Sequence, residues 1–221
     1  MVDRNRARAL ARASLLSDRP LGWFEELYLE AEAGKAVVPW ADLVPNPHLK
    51  SWLDEQPRGA GRRALDVGAG FGDNAELLAE HGWAVTAFDL SPTAVARSVA
   101  RWPQSKVHYQ VGDLLEPDPA WHQAFDLVFE AYTIQVLRGG HRRRAIELLG
   151  ALVAPGGELL VLARGREPSE PEGEMPWPLT AAELRSIARP EMPLVSLEDF
   201  IDDEDPPVRR FRALYRRRGP E

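Results

Sequence analysis

The chain has 221 residues, 44% hydrophobic and 28% charged, a balance that supports a globular core, and no apolar run approaches the ~20 residues of a membrane span. Its formal net charge of −7 opposes a polyanionic partner, and the absence of cysteine excludes disulfides, thiol catalysis and zinc–thiolate centres. The composition therefore predicts a soluble cytoplasmic protein, monomer or homodimer, that handles a small molecule and binds neither nucleic acid nor membrane.

The basic segment 1–13 has no apolar stretch of the kind a secretory signal carries. A polar helix is predicted over 3–16 and an amphipathic one over 21–33, where Trp23, Phe24, Leu27, Tyr28 and Ala31 fall on one face. Val38-Pro39-Trp40, prolines at 45 and 47, and a short helix ending near Trp52 complete a cap over residues 1–58. From 59 to 221 the chain alternates. Apolar β-type runs at 64–67, 84–88, 107–111, 125–130 and 158–163 are separated by helical segments at 74–81, 92–101 and 141–153. A helix at 180–187 and two apolar stretches at 194–200 and 211–215, a terminal antiparallel pair, close the chain. The predicted fold is α/β: a Rossmann-like, doubly wound, seven-stranded and mostly parallel sheet with an antiparallel last strand, preceded by the helical cap. Ligands of such sheets sit at the carboxyl ends of the strands, near the switch point.

The basic clusters at 142–144 and 209–218 read as a solvated helix face and a solvated last strand. After the first strand comes Asp66-Val67-Gly68-Ala69-Gly70-Phe71-Gly72, a strand-to-helix turn in which glycine permits positive φ and close approach of a ligand. Free amides at the following helix start face an anionic group, here a carboxylate. Asp73 and Glu76 have capping-box spacing. A dinucleotide fingerprint would need glycine where Asp73 stands, which counts against an NAD(P)-dependent oxidoreductase. The second strand ends in Asp89, a carboxylate able to accept both hydroxyls of a ribose. Its alternative role, capping the next helix, already falls to Ser91 before Pro92.

With its [D/E]-x-G-x-G-x-G turn, the sequence resembles the class I S-adenosylmethionine-dependent methyltransferases. The resemblance implies S-adenosylmethionine as methyl donor and S-adenosylhomocysteine as product. It implies that Asp66 orders the turn and the methionine end of the cofactor, that the Gly68, Ala69 and Gly70 backbone approaches the cofactor, and that Leu90 and Ser91 border the adenine beside Asp89. Val111-Gly112-Asp113-Leu114-Leu115 stands where the family places an acid for the adenine amino group with apolar neighbours. The resemblance implies that Glu130 and Ala131, closing the fourth strand, contact the methionine portion, and Leu152-Val153-Ala154-Pro155-Gly156-Gly157 is similar to the family's turn into strand five. The cap segments around Trp23 and Trp40, with Asn46-Pro47-His48-Leu49, are similar to the entry region of thiopurine and tellurite-resistance-type enzymes, so Trp23 and Trp40 join the cofactor contacts. Asp73 and Glu130-Ala131-Tyr132 depart from either named chemistry. The segment 130–133 also lacks the proline motif of nucleic-acid amino-methyltransferases.

The function implied is in-line methyl transfer to a small-molecule acceptor; the alternative is a binding protein for S-adenosylmethionine or S-adenosylhomocysteine without activity. No catalytic residue is fixed by the sequence. Tyr132 and His141 are candidates, with His48 beside them, each set against ordinary packing or solvation. Trp40, Tyr132 and Trp177 are candidate walls of the acceptor pocket, and the Gly-, Pro- and Glu-rich loop 164–178 is a candidate lid. No metal site is assigned.

Overall fold

Apolar residues that cannot sit on a half-solvated surface define the centre of the molecule. In a computed structural model that describes residues 5–14 and 21–220, β1 (Arg63–Val67) and β4 (Phe125–Ala131) lie side by side, buried on both faces. Around them β2 (Ala84–Asp89), β3 (His108–Val111), β5 (Val153–Arg164), β6 (Leu194–Ile201) and β7 (Arg209–Arg216) complete a seven-stranded sheet of order β3-β2-β1-β4-β5-β7-β6. Strands β1 to β5 are parallel, and β7 runs antiparallel to both β5 and β6. The strand order reverses between β1 and β4, which opens a crevice at their carboxyl ends.

Helices cover both faces. Leu65, Val128, Leu149, Val161 and Phe211 belong to one apolar layer, and Ala64, Leu78, Leu127, Phe129 and Leu160 to the other. The helices are α1 (Asn5–Ser14), α2 (Trp23–Glu32), α3 (Pro47–Asp54), α4 (Asp73–Glu80), α5 (Pro92–Arg101), α6 (Gly139–Leu152) and α7 (Ala181–Arg185). Residues 3, 4, 15 and 16 of the first predicted helix lie outside the described residues. A third apolar cluster joins α1 and α2 to Val38, Ala94, Met175 and Trp177, so the cap and the 164–178 loop share one small core.

Three local readings change. Strand β5 starts at Val153, because Val153 pairs with Phe125 before the chain passes an irregularity at the Pro155-Gly156-Gly157 turn. The capping box at α4 is not formed. Gly72, in the left-handed conformation, is the N-cap, while Asp73 pairs with Arg101 and Glu76 accepts from the Tyr109 hydroxyl at 2.6 Å. The basic last strand is not simply solvated. Arg209 pairs with Asp199, Arg212 with Glu198 and Arg216 with Glu158 across the strands, and Arg210 is buried against Asp202 and Glu204.

Candidate active site

The chain must leave β1 and turn sharply into α4, along a left-handed backbone path that favours glycine. Gly68, Gly70 and Gly72 have φ of 66°, 56° and 84°. A Cβ on Gly68 would stand 2.5 Å from Thr133 Oγ1, so a neighbouring loop already occupies the space a side chain needs. Beneath the turn Asp66 is buried, and the Ala75 amide donates to it at the start of α4. Burial, aided by the nearby Asp89 charge, pushes the Asp66 carboxyl up to about 7. Its Oδ2 has no partner among the described residues.

Asp89 closes β2. Its Oδ2 accepts the Gly70 N–H and its Oδ1 the Ser91 N–H, each at 2.9 Å. The Leu90 amide also faces this carboxylate, three backbone donors against four lone pairs, and burial raises the carboxyl to about 6. Ser91 caps α5 by accepting the Ala94 amide and donates its hydroxyl to Glu25 at 2.5 Å. Glu25 also receives the Thr93 amide and hydroxyl, so a carboxylate of the cap helps hold the start of α5. Nothing in the spacing of the sequence announces this bond between residues so far apart.

A cavity of about 530 Å³ opens over these strand ends. Gly68, Ala69, Gly70, Asp89, Leu90, Asp113, Leu114, Leu115, Ala131, Tyr132 and Trp40 line it. Asp113 Oδ1 accepts the Leu115 amide at 2.7 Å, which fixes the loop after β3. Six sequence candidates lie elsewhere. Asp66 and Ser91 support the turn and α5 from behind. Glu130 is fully buried and accepts the Thr133 and Ile134 amides at 2.5 and 3.0 Å, capping a short 3-10 turn; burial raises it to about 7. Trp23 is stacked on Phe24 at 3.9 Å inside the cap core, and Phe24 takes the cavity position instead. Trp177 is buried beneath Arg138, 4.7 Å from its ring, with its amide bonded to Gln135 O at 2.8 Å. Met175 and Pro176 of the same loop reach the cavity. His141 is exposed on α6 and does not line the cavity, so the structure does not bring this candidate base to the site.

The cap supplies the aromatic wall. Trp40 Nε1 donates to Tyr28 Oη at 2.9 Å, and the Tyr28 ring meets Phe71 edge-on at 5.4 Å. Arg8 of α1 donates to Met175 O at 3.0 Å and pairs with Glu174 at 2.9 Å, which seats α1 against the 164–178 loop.

At the opposite corner Tyr132 and His48 were sequence candidates, whereas Arg210 and the contacts that join them were not. Tyr132 holds φ of 66° at the end of β4 and accepts Asn46 Nδ2 at 3.1 Å. Asn46 Oδ1 caps α3 by accepting the His48 amide at 2.9 Å. Arg210 lies over the Tyr132 ring at 5.1 Å, and burial holds the Tyr132 hydroxyl above its ordinary range against the opposing effect of that guanidinium. Asn46, His48, Glu204 and Arg210 all line the cavity. Gln135 lines it too; its Oε1 accepts the Arg164 amide at 2.8 Å, leaving Nε2 without a partner among the described residues.

Residues 64–157 match the sequence profile of a family described as a methyltransferase domain. A ubiquinone biosynthesis O-methyltransferase of Coxiella burnetii is 33% identical over 118 residues, covering 52% of this chain and 48% of that protein. The chain thus spans about half the length of that curated relative. A probable thiol methyltransferase 2 of Arabidopsis thaliana is 28% identical over 182 residues, covering 80% and 75%. The fold matches that of the N-methyltransferase NodS from Bradyrhizobium japonicum, solved with S-adenosylhomocysteine, at a TM-score of 0.63 and 22% identity over 98% and 100% of the two chains. Residues 64–157 thus carry a methyltransferase domain, on a fold shared with solved S-adenosylmethionine-dependent methyltransferases.

Proposed function

We propose that this protein is a class I methyltransferase that moves a methyl group from S-adenosylmethionine to a small-molecule acceptor held between Trp40, Tyr132 and the Met175 loop. The observation that carries the reading is Asp89, joined to Gly70 and presented to a cavity floored by the glycine turn. The residues present fit the donor. Asp89 accepts ribose hydroxyls, Asp113 and Leu114 border the adenine, and the turn amides face the carboxylate.

The bound donor supplies an activated methyl group on a positively charged sulfur. Ionised Asp66, Asp89 and Glu130 place negative potential around the strand ends, which favours a cation there. The Tyr28, Trp40 and Phe71 wall and the Met175 loop exclude water and hold the reactants together. Such alignment supplies at most ~7–11 kcal/mol of a barrier. Relatives named as O- and thiol methyltransferases support a small acceptor. The net charge of −7 speaks against a nucleic acid. Among the described residues no helix is long and apolar enough to cross a membrane.

The test is calorimetry with S-adenosylhomocysteine, NAD and NADP, followed by assay of S-adenosylhomocysteine release with a panel of small acceptors. Binding of S-adenosylhomocysteine alone, with turnover of at least one acceptor, supports the reading. Binding without any turnover favours a sensor or scaffold that keeps the pocket, and affinity for NAD alone overturns it.

A further inference from the structure

We propose that the corner formed by Asn46, His48, Tyr132 and Arg210 binds an uncharged acceptor through a hydroxyl group, with His48 taking the hydroxyl proton. The inference rests on S-adenosylmethionine being the donor and concerns the groups that stand opposite it.

Asn46 organises the corner. Its Oδ1 holds the backbone of His48 and its Nδ2 donates to Tyr132 Oη. Because that oxygen already accepts, the Tyr132 hydroxyl must donate its own proton elsewhere, and among the described residues nothing takes it. A ligand atom with a lone pair satisfies it; an ammonium, which has only donors, does not. The His48 imidazole is partly buried, with its edge towards Phe200 at 4.9 Å, and neither ring nitrogen has a hydrogen-bond partner among the described residues. A hydroxyl oxygen meets both needs, accepting from Tyr132 and giving its proton to His48.

Charge excludes an anionic acceptor. Arg210, the guanidinium at this corner, is already held by Asp202 at 2.6 Å and by Glu204, while Arg212 is matched by Glu198. Two carboxylates against one guanidinium leave the corner negative. The groups facing His48 are Arg210 and Arg212, which disfavour its protonation, and Asp202 and Glu204, which favour it. Burial is the largest influence and holds the imidazole below its ordinary range, so it is neutral near pH 7 and able to accept a proton. In the transfer, the acceptor O–H bond breaks and its proton goes to the imidazole. An oxygen lone pair forms the new bond to the methyl carbon, and the electron pair of the breaking carbon–sulfur bond stays on sulfur as a neutral thioether. The positive charge moves from sulfur to His48, with Asp202 Oδ2 4.0 Å away.

The experiment uses protein saturated with S-adenosylhomocysteine for binding, and with S-adenosylmethionine for turnover, against four probes of one ring size: phenol, thiophenol, benzoate and benzylammonium. Phenol should bind at least tenfold more tightly than benzoate or benzylammonium and shift the His48 imidazole signal in NMR. His48→Gln should lower phenol methylation about 100-fold or more, within the range of a lost general base, yet lower thiophenol methylation less than about threefold because a thiol ionises more readily. The same variant should keep its affinity for S-adenosylhomocysteine within twofold. Tyr132→Phe should weaken phenol binding without abolishing thiophenol turnover. Tighter binding of benzoate or benzylammonium, equal losses for phenol and thiophenol, or phenol that fails to bind or is not methylated each overturns the proposal. A wild-type protein that does not bind S-adenosylhomocysteine overturns the donor reading instead. The imidazole titration of wild-type protein provides a readout that does not depend on the variants folding.

Discussion

Asp89 Oδ2 accepts the Gly70 N–H at 2.9 Å, so the acid that ends β2 and the glycine turn after β1 form one hydrogen-bonded unit. The carboxylate therefore shapes the turn and faces the cavity at once.

Asp89→Ala removes both functions. It strands the Gly70 and Ser91 amides and deletes the proposed ribose acceptor. The loss of hydrogen bonds to a charged group, about 1.5–3 kcal/mol, should weaken S-adenosylhomocysteine binding by more than tenfold in calorimetry. Asp89→Asn keeps one acceptor oxygen and should recover part of the thermal stability while binding remains weak. Unchanged affinity in both variants would remove Asp89 from the donor site.

Protonation of the buried acids should make stability and donor binding respond oppositely to pH. Asp66 and Glu130 rise to about 7 and Asp89 to about 6 from ordinary values of 3.8, 4.5 and 3.8. A carboxyl raised in the folded state is destabilising above its folded value, and that penalty is relieved as pH falls towards the unfolded value. Between pH 7.5 and 5.5 the protein should therefore gain on the order of 1–3 kcal/mol, seen as a melting temperature several degrees higher. A cationic donor favours the ionised acids. S-adenosylmethionine affinity should accordingly fall over the same interval, and binding should release protons, measurable by calorimetry in two buffers of different ionisation enthalpy. S-adenosylhomocysteine, which lacks the sulfonium charge, should respond less. A pH-independent affinity for S-adenosylmethionine contradicts the electrostatic role of these acids.

The parts of the site visible in the sequence were those encoded by short spacing. The glycine turn, Asp89 at a strand end, Ser91-Pro92 at a helix start and the alternating β and α periods each depend on neighbours a few residues away. Asp66 and Glu130 were found but placed at the ligand. In the structure their carboxylates turn to the Ala75 amide and to the Thr133 and Ile134 amides, a difference only the backbone path decides. The Asn46–Tyr132 and Arg210–Tyr132 contacts were not legible, because they join the cap, β4 and β7 across long stretches of chain. His141 was set against solvation from the start, because a polar residue at a helix start looks alike whether that helix end faces the cavity or solvent.

His141→Ala should leave methyl transfer and S-adenosylhomocysteine affinity within about twofold of wild type, since surface substitutions away from special features change stability by only about ±0.5 kcal/mol. Its side chain is exposed on α6, away from the cavity lining. A loss of tenfold or more in kcat would show that α6 moves into the site during turnover.

Gly68→Ala should be costly for two separate reasons. The residue holds φ of 66°, and the added methyl would stand 2.5 Å from Thr133 Oγ1. The left-handed backbone alone costs about 1–2 kcal/mol for a residue with a Cβ. The collision also displaces the loop after Tyr132. Gly68→Ala should therefore melt several degrees lower and bind S-adenosylhomocysteine more weakly. Gly173→Ala has φ of 67° with nothing near the new methyl, so it isolates the backbone cost and should leave binding intact.

Arg101 ties three elements to the rim of the cavity. It forks onto Asp73 at 2.6 and 2.7 Å, donates to Leu43 O at 3.0 Å, and reaches Phe71 O at 3.4 Å. Arg101→Ala releases the cap loop and leaves Asp73, only 13% exposed in its side chain, without its counter-charge. Breaking a fully buried pair costs about 3–5 kcal/mol, and partial exposure reduces this to about 1–3 kcal/mol. The unscreened Asp73 charge also pushes the Asp66 carboxyl higher, since Asp73 already acts on it in that direction. The double variant Arg101→Ala with Asp73→Asn separates the two effects. Removing the stranded charge should recover part of the melting temperature, whereas the freed cap loop should keep the affinity for S-adenosylhomocysteine low. Full recovery of both would make Arg101 only a charge partner of Asp73; recovery of neither would place its main effect in the bonds to the Leu43 and Phe71 carbonyls.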